Sequence, residues 1–90
     1  MAQKSTKKRV IFKLNDARAR EVFVAGSFNA WDPSARPLKK DAHGVWKTTM
    51  LIPGGTYEYR FIVDGQWMED PTVAEKRLNE FGSYNTVLTV

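Results

Sequence analysis

Residues 56–63, Thr-Tyr-Glu-Tyr-Arg-Phe-Ile-Val, carry the clearest alternation in the chain, and Asp64-Gly65 stops it. A period of two puts Tyr57, Tyr59, Phe61 and Val63 on one face of a strand, with Glu58, Arg60 and Ile62 on the other. Asp-Gly between apolar runs is the strongest short-range hairpin signal, because a type I′ turn needs positive φ at both central residues. The pattern predicts a hairpin whose return strand begins at Trp67. Asp70-Pro71 then ends the regular run, since Pro cannot donate to a ladder. The hairpin would hold a large flat aromatic close to a rigid turn.

The rest of the chain repeats the theme of short strands between turns. Residues 10–14 read as a first strand with Val10, Phe12 and Leu14 on one side, and residues 21–25 as a β-branched and aromatic second. Residues 26–33, Gly-Ser-Phe-Asn-Ala-Trp-Asp-Pro, form a loop of turn residues with Phe28 expected inward and Trp31 outward. Residues 45–52 make a long third strand, in which Trp46 is expected to pack in the core. Residues 83–90 make the last strand, and residues 71–82 read as polar and irregular. No amphipathic helix is present, so the expectation is an all-β, immunoglobulin-like sandwich. The chain divides into a disordered basic tail at 1–8 and one domain at 9–90.

Ninety residues allow one small domain with a modest core. The chain has no Cys, which removes disulfides and thiolate chemistry. It has neither an apolar membrane span nor a leading apolar signal segment, so a cytoplasmic location is expected and no membrane partner. The formal charge of +4 resides in the first nine residues, through Lys4, Lys7, Lys8 and Arg9. The remaining bases and acids balance, which argues against a nucleic-acid partner.

Catalysis fares no better. The single histidine, His43, sits beside Gly44 in a turn. Glu69 and Asp70 are adjacent and point to opposite sides of an extended chain, unlike the facing carboxylates of glycoside hydrolysis. Asp32 and Asp64 are accounted for by turns. Neither metal-ligand spacing nor a phosphate-cradling glycine loop is present. No enzyme activity, metal or cofactor is expected.

The aromatics are more informative. Trp31 and Trp67 each sit in or beside a turn among polar neighbours. They are either plugs that cap the sandwich or a pair of exposed stacking surfaces. A pyranose suits the second arrangement, since it offers a C–H face to an indole and hydroxyls to nearby amides and cations. Arg60, Ser83 and Asn85 are placed to supply that polar rim.

Four segments together resemble carbohydrate-binding module family 48: Val22-Phe-Val-Ala-Gly-Ser-Phe-Asn-Ala-Trp31, Gly44-Val-Trp46, residues 53–67 and Asp70-Pro71. That family includes the glycogen-binding domain of the AMP-activated protein kinase β subunit and the N-terminal domains of isoamylases and branching enzymes. The resemblance runs from about Val10 to Val90. It implies an early-set sandwich that binds α-glucans such as glycogen, starch or maltooligosaccharides without catalysis. It also matches Trp31 and Trp67 to the two stacking tryptophans of the kinase-subunit domain, of which many enzyme-attached relatives lack one or both, and Asn85 to an asparagine that bonds sugar hydroxyls. Arg60 stands where the kinase-subunit domain has a lysine, Phe81 where it has a leucine, and Ser83 where it has a threonine. The alternative is a protein-interaction or scaffold domain of the same fold without sugar binding, serving a protein partner or a larger parent enzyme.

Overall fold

The computed structural model describes residues 7–90. Eight strands run in order: β1 (Lys8–Asn15), β2 (Val22–Gly26), β3 (Lys39–Lys40), β4 (Val45–Ile52), β5 (Thr56–Val63), β6 (Gln66–Met68), β7 (Lys76–Leu78) and β8 (Tyr84–Thr89), with a 3-10 turn at Ser27–Asn29 after β2. They form two antiparallel sheets. One has the order β1-β4-β3; the other has β2-β5-β8-β7, with β6 also paired to β5. This is the immunoglobulin-like sandwich expected from the alternation and turn spacing.

Period-two patterning places the core between the sheets. Phe12 and Leu14 of β1 and Trp46 and Ile52 of β4 face Val22 and Val24 of β2 and Tyr59 and Phe61 of β5, all buried. Phe12 bridges the layers, with its ring centroid 5.0 Å from Tyr59 in an edge-on contact. Trp46 is core, as expected, and its indole N–H donates to the Asp16 carbonyl at 2.8 Å. That bond satisfies the one polar atom of a buried tryptophan. Phe28 turns inward against Phe12 and Tyr57.

The Asp64-Gly65 turn has φ of 49° and 83°, the left-handed pair that a type I′ hairpin requires. Asp64 is also anchored: its carboxylate accepts the N–H groups of Arg20 and Glu21 at 2.8 and 2.9 Å. Those two donors hold the Asp64 carboxyl below the ordinary carboxylate range.

Several details differ from the expectations set by the residues alone. β1 begins at Lys8, a residue expected in the tail, and residues 1–6 of that expected tail lie outside the described residues. The return strand begins one residue early, at Gln66. The segment expected to be irregular contains β7, three exposed residues paired to β8. Ile62 lies on the outer face of β5, yet is buried. Its direct cross-strand partners there are Phe23 on one side and Trp67 on the other. Side chains paired in this way are in reach of each other, so the row covers itself.

The two edges of β5 are used differently. β2 flanks one of them, while the other is shared: β8 pairs with Thr56–Tyr59 and β6 with Phe61–Val63. Arg60 sits at the changeover.

Candidate functional site

Trp31 is placed by a strained loop. Ala30 and Trp31 both have left-handed φ, 57° and 58°, a conformation that costs a non-glycine residue about 1–2 kcal/mol. Hydrogen bonds hold it there. The Trp31 N–H donates to the Gly26 carbonyl at 2.9 Å. The Asn29 side chain accepts from Gly26 N–H at 3.0 Å and donates to the Val24 carbonyl at 3.3 Å. Gly26 itself is extended and needed for space: a Cβ there would lie 2.5 Å from the Glu58 carbonyl oxygen and 2.6 Å from the Phe28 ring. The loop thus folds tightly across β5 and delivers Trp31 to the outer face of that sheet.

Trp67 arrives from the other side, on β6. It is 42% exposed, and its ring centroid lies 6.5 Å from that of Trp31 at an interplanar angle of 42°. The two indoles therefore make a shallow V rather than a flat plate. Arg60, at the changeover on β5, reaches from beneath and donates to the Trp67 carbonyl at 3.4 Å. Its Nε is buried and has no hydrogen-bond partner among the described residues.

The opposite wall is a polar network. Asn85, buried at the start of β8, donates from Nδ2 to Glu58 Oε1 at 3.1 Å and accepts at Oδ1 from Asn79 Nδ2 at 3.2 Å. Glu58 Oε2 pairs with Arg77 Nη1 at 3.2 Å. Asn79 Oδ1 accepts the N–H groups of Phe81 and Ser83 at 2.9 and 3.0 Å, fixing the turn that carries Phe81. A primary amide has two donors and an acceptor with two lone pairs. Asn85 therefore retains one N–H and one lone pair for a ligand while its amide orientation is fixed.

These groups line one groove of about 660 Å³, with Trp31, Trp67, Phe81, Arg60 and Asn85 on its walls together with Ser27, Glu58, Asn79 and Glu80. Five of the six sequence-expected site residues come together there. Ser83 is not part of the lining; it supports the wall through its backbone, which exchanges hydrogen bonds with Asn79. Phe81 is 83% exposed, an apolar tip standing over the groove. Glu58, Asn79, Glu80 and Ser27 were missed. Glu58 carried a signal, since it alternates with Arg60 on the same face.

The carboxylates away from the groove have structural duties. Asp70 is buried and accepts the Tyr59 hydroxyl at 2.6 Å, the Thr72 N–H at 2.9 Å and the Thr72 hydroxyl at 2.7 Å. Burial, followed by the Asp70 carboxylate, pushes the Tyr59 phenol well above its ordinary range. Asp41 accepts the N–H groups of Val45 and His43, and these bonds, with Lys47 beside them, lower its carboxyl to about 2. Neither faces the groove.

What the groove offers is two tilted aromatic faces, a further apolar tip, a cation and an oriented amide. Aromatic faces and fixed donors and acceptors recognise a ring that is apolar on its faces and hydroxylated at its rim. Among the described residues no helix is long and apolar enough to cross a membrane.

Residues 9–90 match the family described as the glycogen recognition site of AMP-activated protein kinase. The chain is 45% identical over 53 residues to the protein PTST homolog 2, chloroplastic, of Arabidopsis thaliana, a stretch covering 59% of this chain and 10% of that protein. It is 43% identical over 53 residues to the 5'-AMP-activated protein kinase subunit beta-2 of Mus musculus, again 59% of this chain and 19% of the relative. With the subunit beta-1 of Sus scrofa it shares 35% identity over 71 residues, 79% of this chain and 55% of the relative. It therefore spans less than two thirds of each of these relatives. The family's being a recognition site agrees with the expectation of a non-catalytic domain. With a match over nearly its whole described length, the chain belongs to the family of glycogen recognition sites of AMP-activated protein kinase, within carbohydrate-binding module family 48.

Proposed function

We propose that this domain binds α-glucans, glycogen or starch chains and their maltooligosaccharide fragments, in the groove between Trp31, Trp67 and Phe81. The observation that carries the reading is the tilted indole pair beside the oriented Asn85 amide. Each indole takes the C–H face of one glucose, burying apolar surface on both partners. The 42° tilt between the rings suits a chain that turns from one sugar to the next, as α-linked glucose does, over the flat ribbon of cellulose. Asn85 and Arg60 then bond hydroxyls at the ring edges, and Phe81 closes over the sugar from the opposite wall. Membership in a glycogen-recognition family supports the same reading. Binding serves to place an attached or associated protein on the polysaccharide; the groove performs no bond cleavage.

The test is co-sedimentation with glycogen and with amylose, against cellulose as the comparison. The expected result is retention on the two α-glucans, lost in Trp31→Ala and in Trp67→Ala, with little retention on cellulose. Equal retention of the wild-type chain and both variants would overturn the proposed site.

A further inference from the structure

The two sheets differ in charge. β1, β3 and β4 together carry Lys8, Arg9, Lys13, Lys39, Lys40 and Lys47 and not one Asp or Glu. The balance of charge along the domain conceals this, because its acids lie in loops and, for Glu58, in the other sheet. Register sorts the bases by face. Lys13 stands opposite Lys47, and Lys47 opposite Lys39; directly opposed residues project to the same side. Phe12 and Leu14, flanking Lys13, and Trp46, next to Lys47, are buried, so the lysine row points away from the core. Arg9 opposite Leu51 and Ile11 opposite Thr49 continue that outer face. Ile11 and Leu51 are 52% and 64% exposed, and as diagonal neighbours they form one small apolar patch beside the lysine row.

Three like charges placed directly opposite one another oppose folding. Among the described residues Lys13 and Lys39 have no carboxylate partner, and Lys47 has Asp41 at 3.2 Å. Lysine on an edge strand guards against edge-to-edge pairing, which accounts for Lys13 on β1 and Lys39 on β3 taken singly. It does not account for Lys47, which lies on the central strand of the sheet in line with both.

We infer that the outer face of the β1-β4-β3 sheet is a docking surface for an acidic protein segment. Its carboxylates lie over the Lys13, Lys47 and Lys39 row, and one of its apolar side chains covers Ile11 and Leu51. Charge complementarity selects an anionic partner. The apolar patch selects protein over nucleic acid. A phosphate backbone leaves Ile11 and Leu51 uncovered, and the face has no aromatic side chain on which a base stacks. The surface belongs to the sheet opposite the groove, so docking there leaves the groove open.

The test is an NMR titration of the isotopically labelled 90-residue chain. The probes are a short peptide alternating Glu with Leu, a Glu–Ser peptide of the same length, and a short DNA duplex. The Glu–Leu peptide is expected to shift backbone amides of β1, β3 and β4, to leave the Trp31 and Trp67 indole signals in place, and to bind at least about fivefold more tightly than the Glu–Ser peptide. Lys13→Glu, Lys39→Glu and Ile11→Ser should each weaken it by about fivefold or more. Lys13→Thr should raise the melting temperature by roughly 1–4 °C while weakening the peptide, a trade that a purely structural lysine would not make. Tighter binding of DNA than of the Glu–Leu peptide, equal binding of the two peptides, or no shift on this face would each overturn the inference. Maltoheptaose titration of the same variants should match wild type, which keeps the fate of this surface separate from that of the groove.

Discussion

The indoles of Trp31 and Trp67 meet at a centroid distance of 6.5 Å, although one leaves the end of β2 and the other rides on β6. Both strands pair with β5, one on each side of it. Trp31→Ala and Trp67→Ala should each lower affinity for maltoheptaose by about tenfold or more, the loss of roughly 1.5–3 kcal/mol of aromatic burial. Truncating exposed Trp67 uncovers part of Ile62 and truncating half-buried Trp31 opens the loop, so each should lower the melting temperature modestly, by less than a core truncation. Trp46→Ala is the contrast: it empties a core position and should cost about 3–5 kcal/mol. Thermal melts paired with fluorescence titration separate the two kinds of tryptophan. If Trp31→Ala and Trp67→Ala bind like wild type, the sugar lies elsewhere.

Glu58 should matter to binding without touching every sugar, because it orients the Asn85 amide. Asn85→Ala removes a donor and an acceptor and should weaken maltoheptaose by about tenfold, while Glu58→Ala, which frees that amide, should weaken it by about threefold to tenfold. Glu58→Gln keeps an oxygen for Asn85 and should recover part of the loss. Calorimetric titration of the three variants gives the ranking, and a fully wild-type Glu58→Ala would remove the orienting role.

The Tyr59 hydroxyl and Asp70 form a buried bond of 2.6 Å on the core side of β5. Tyr59→Phe should destabilise the domain by about 1.5–3 kcal/mol, since the bond is to a charged group and leaves a buried oxygen short of a donor. Urea unfolding measures this. Glucan affinity of the folded variant should be unchanged, because Tyr59 faces away from the groove.

Asp41 and Asp64 make stability depend on pH. Both carboxyls are lowered in the folded state by backbone N–H donors, Asp41 to about 2 from an ordinary 3.8. The unfolded chain therefore binds more protons in this range, and stability rises with pH. The contribution of Asp41 is complete above about pH 4 and is lost as pH falls through about 2. Melting temperature should fall across that window, and Asp41→Asn should flatten the fall. An unchanged slope in Asp41→Asn would show that the turn carboxylate is not a source of it.

The parts legible in the sequence were the parts written locally. The Asp64-Gly65 turn, the alternation of β5 and the Gly26 to Trp31 loop are each signalled by residues within a few positions, and each formed as read. Trp31 and Trp67 could be suspected singly, but their meeting depends on two separate pairings to β5. The Glu58, Asn85 and Asn79 network was out of reach because it depends on the register of β8 against β5 and on a turn that no alternation marks. Ile62 misled for a related reason: periodicity assigns a face, and cover on that face comes from Phe23 and Trp67, which belong to other strands. The lysine row was hidden by summation, since, Asp41 beside Lys47 apart, the acids that cancel its charge in the sequence are elsewhere in space.

That separation of charge gives the molecule an orientation when it lies on its ligand. Glycogen and starch are essentially neutral polymers, and the groove proposed to hold them is on one sheet while the lysine row is on the other. A polysaccharide particle coated with this domain would thus carry a cationic shell, and its electrophoretic mobility would report how much of the coat had been neutralised by whatever had settled on it.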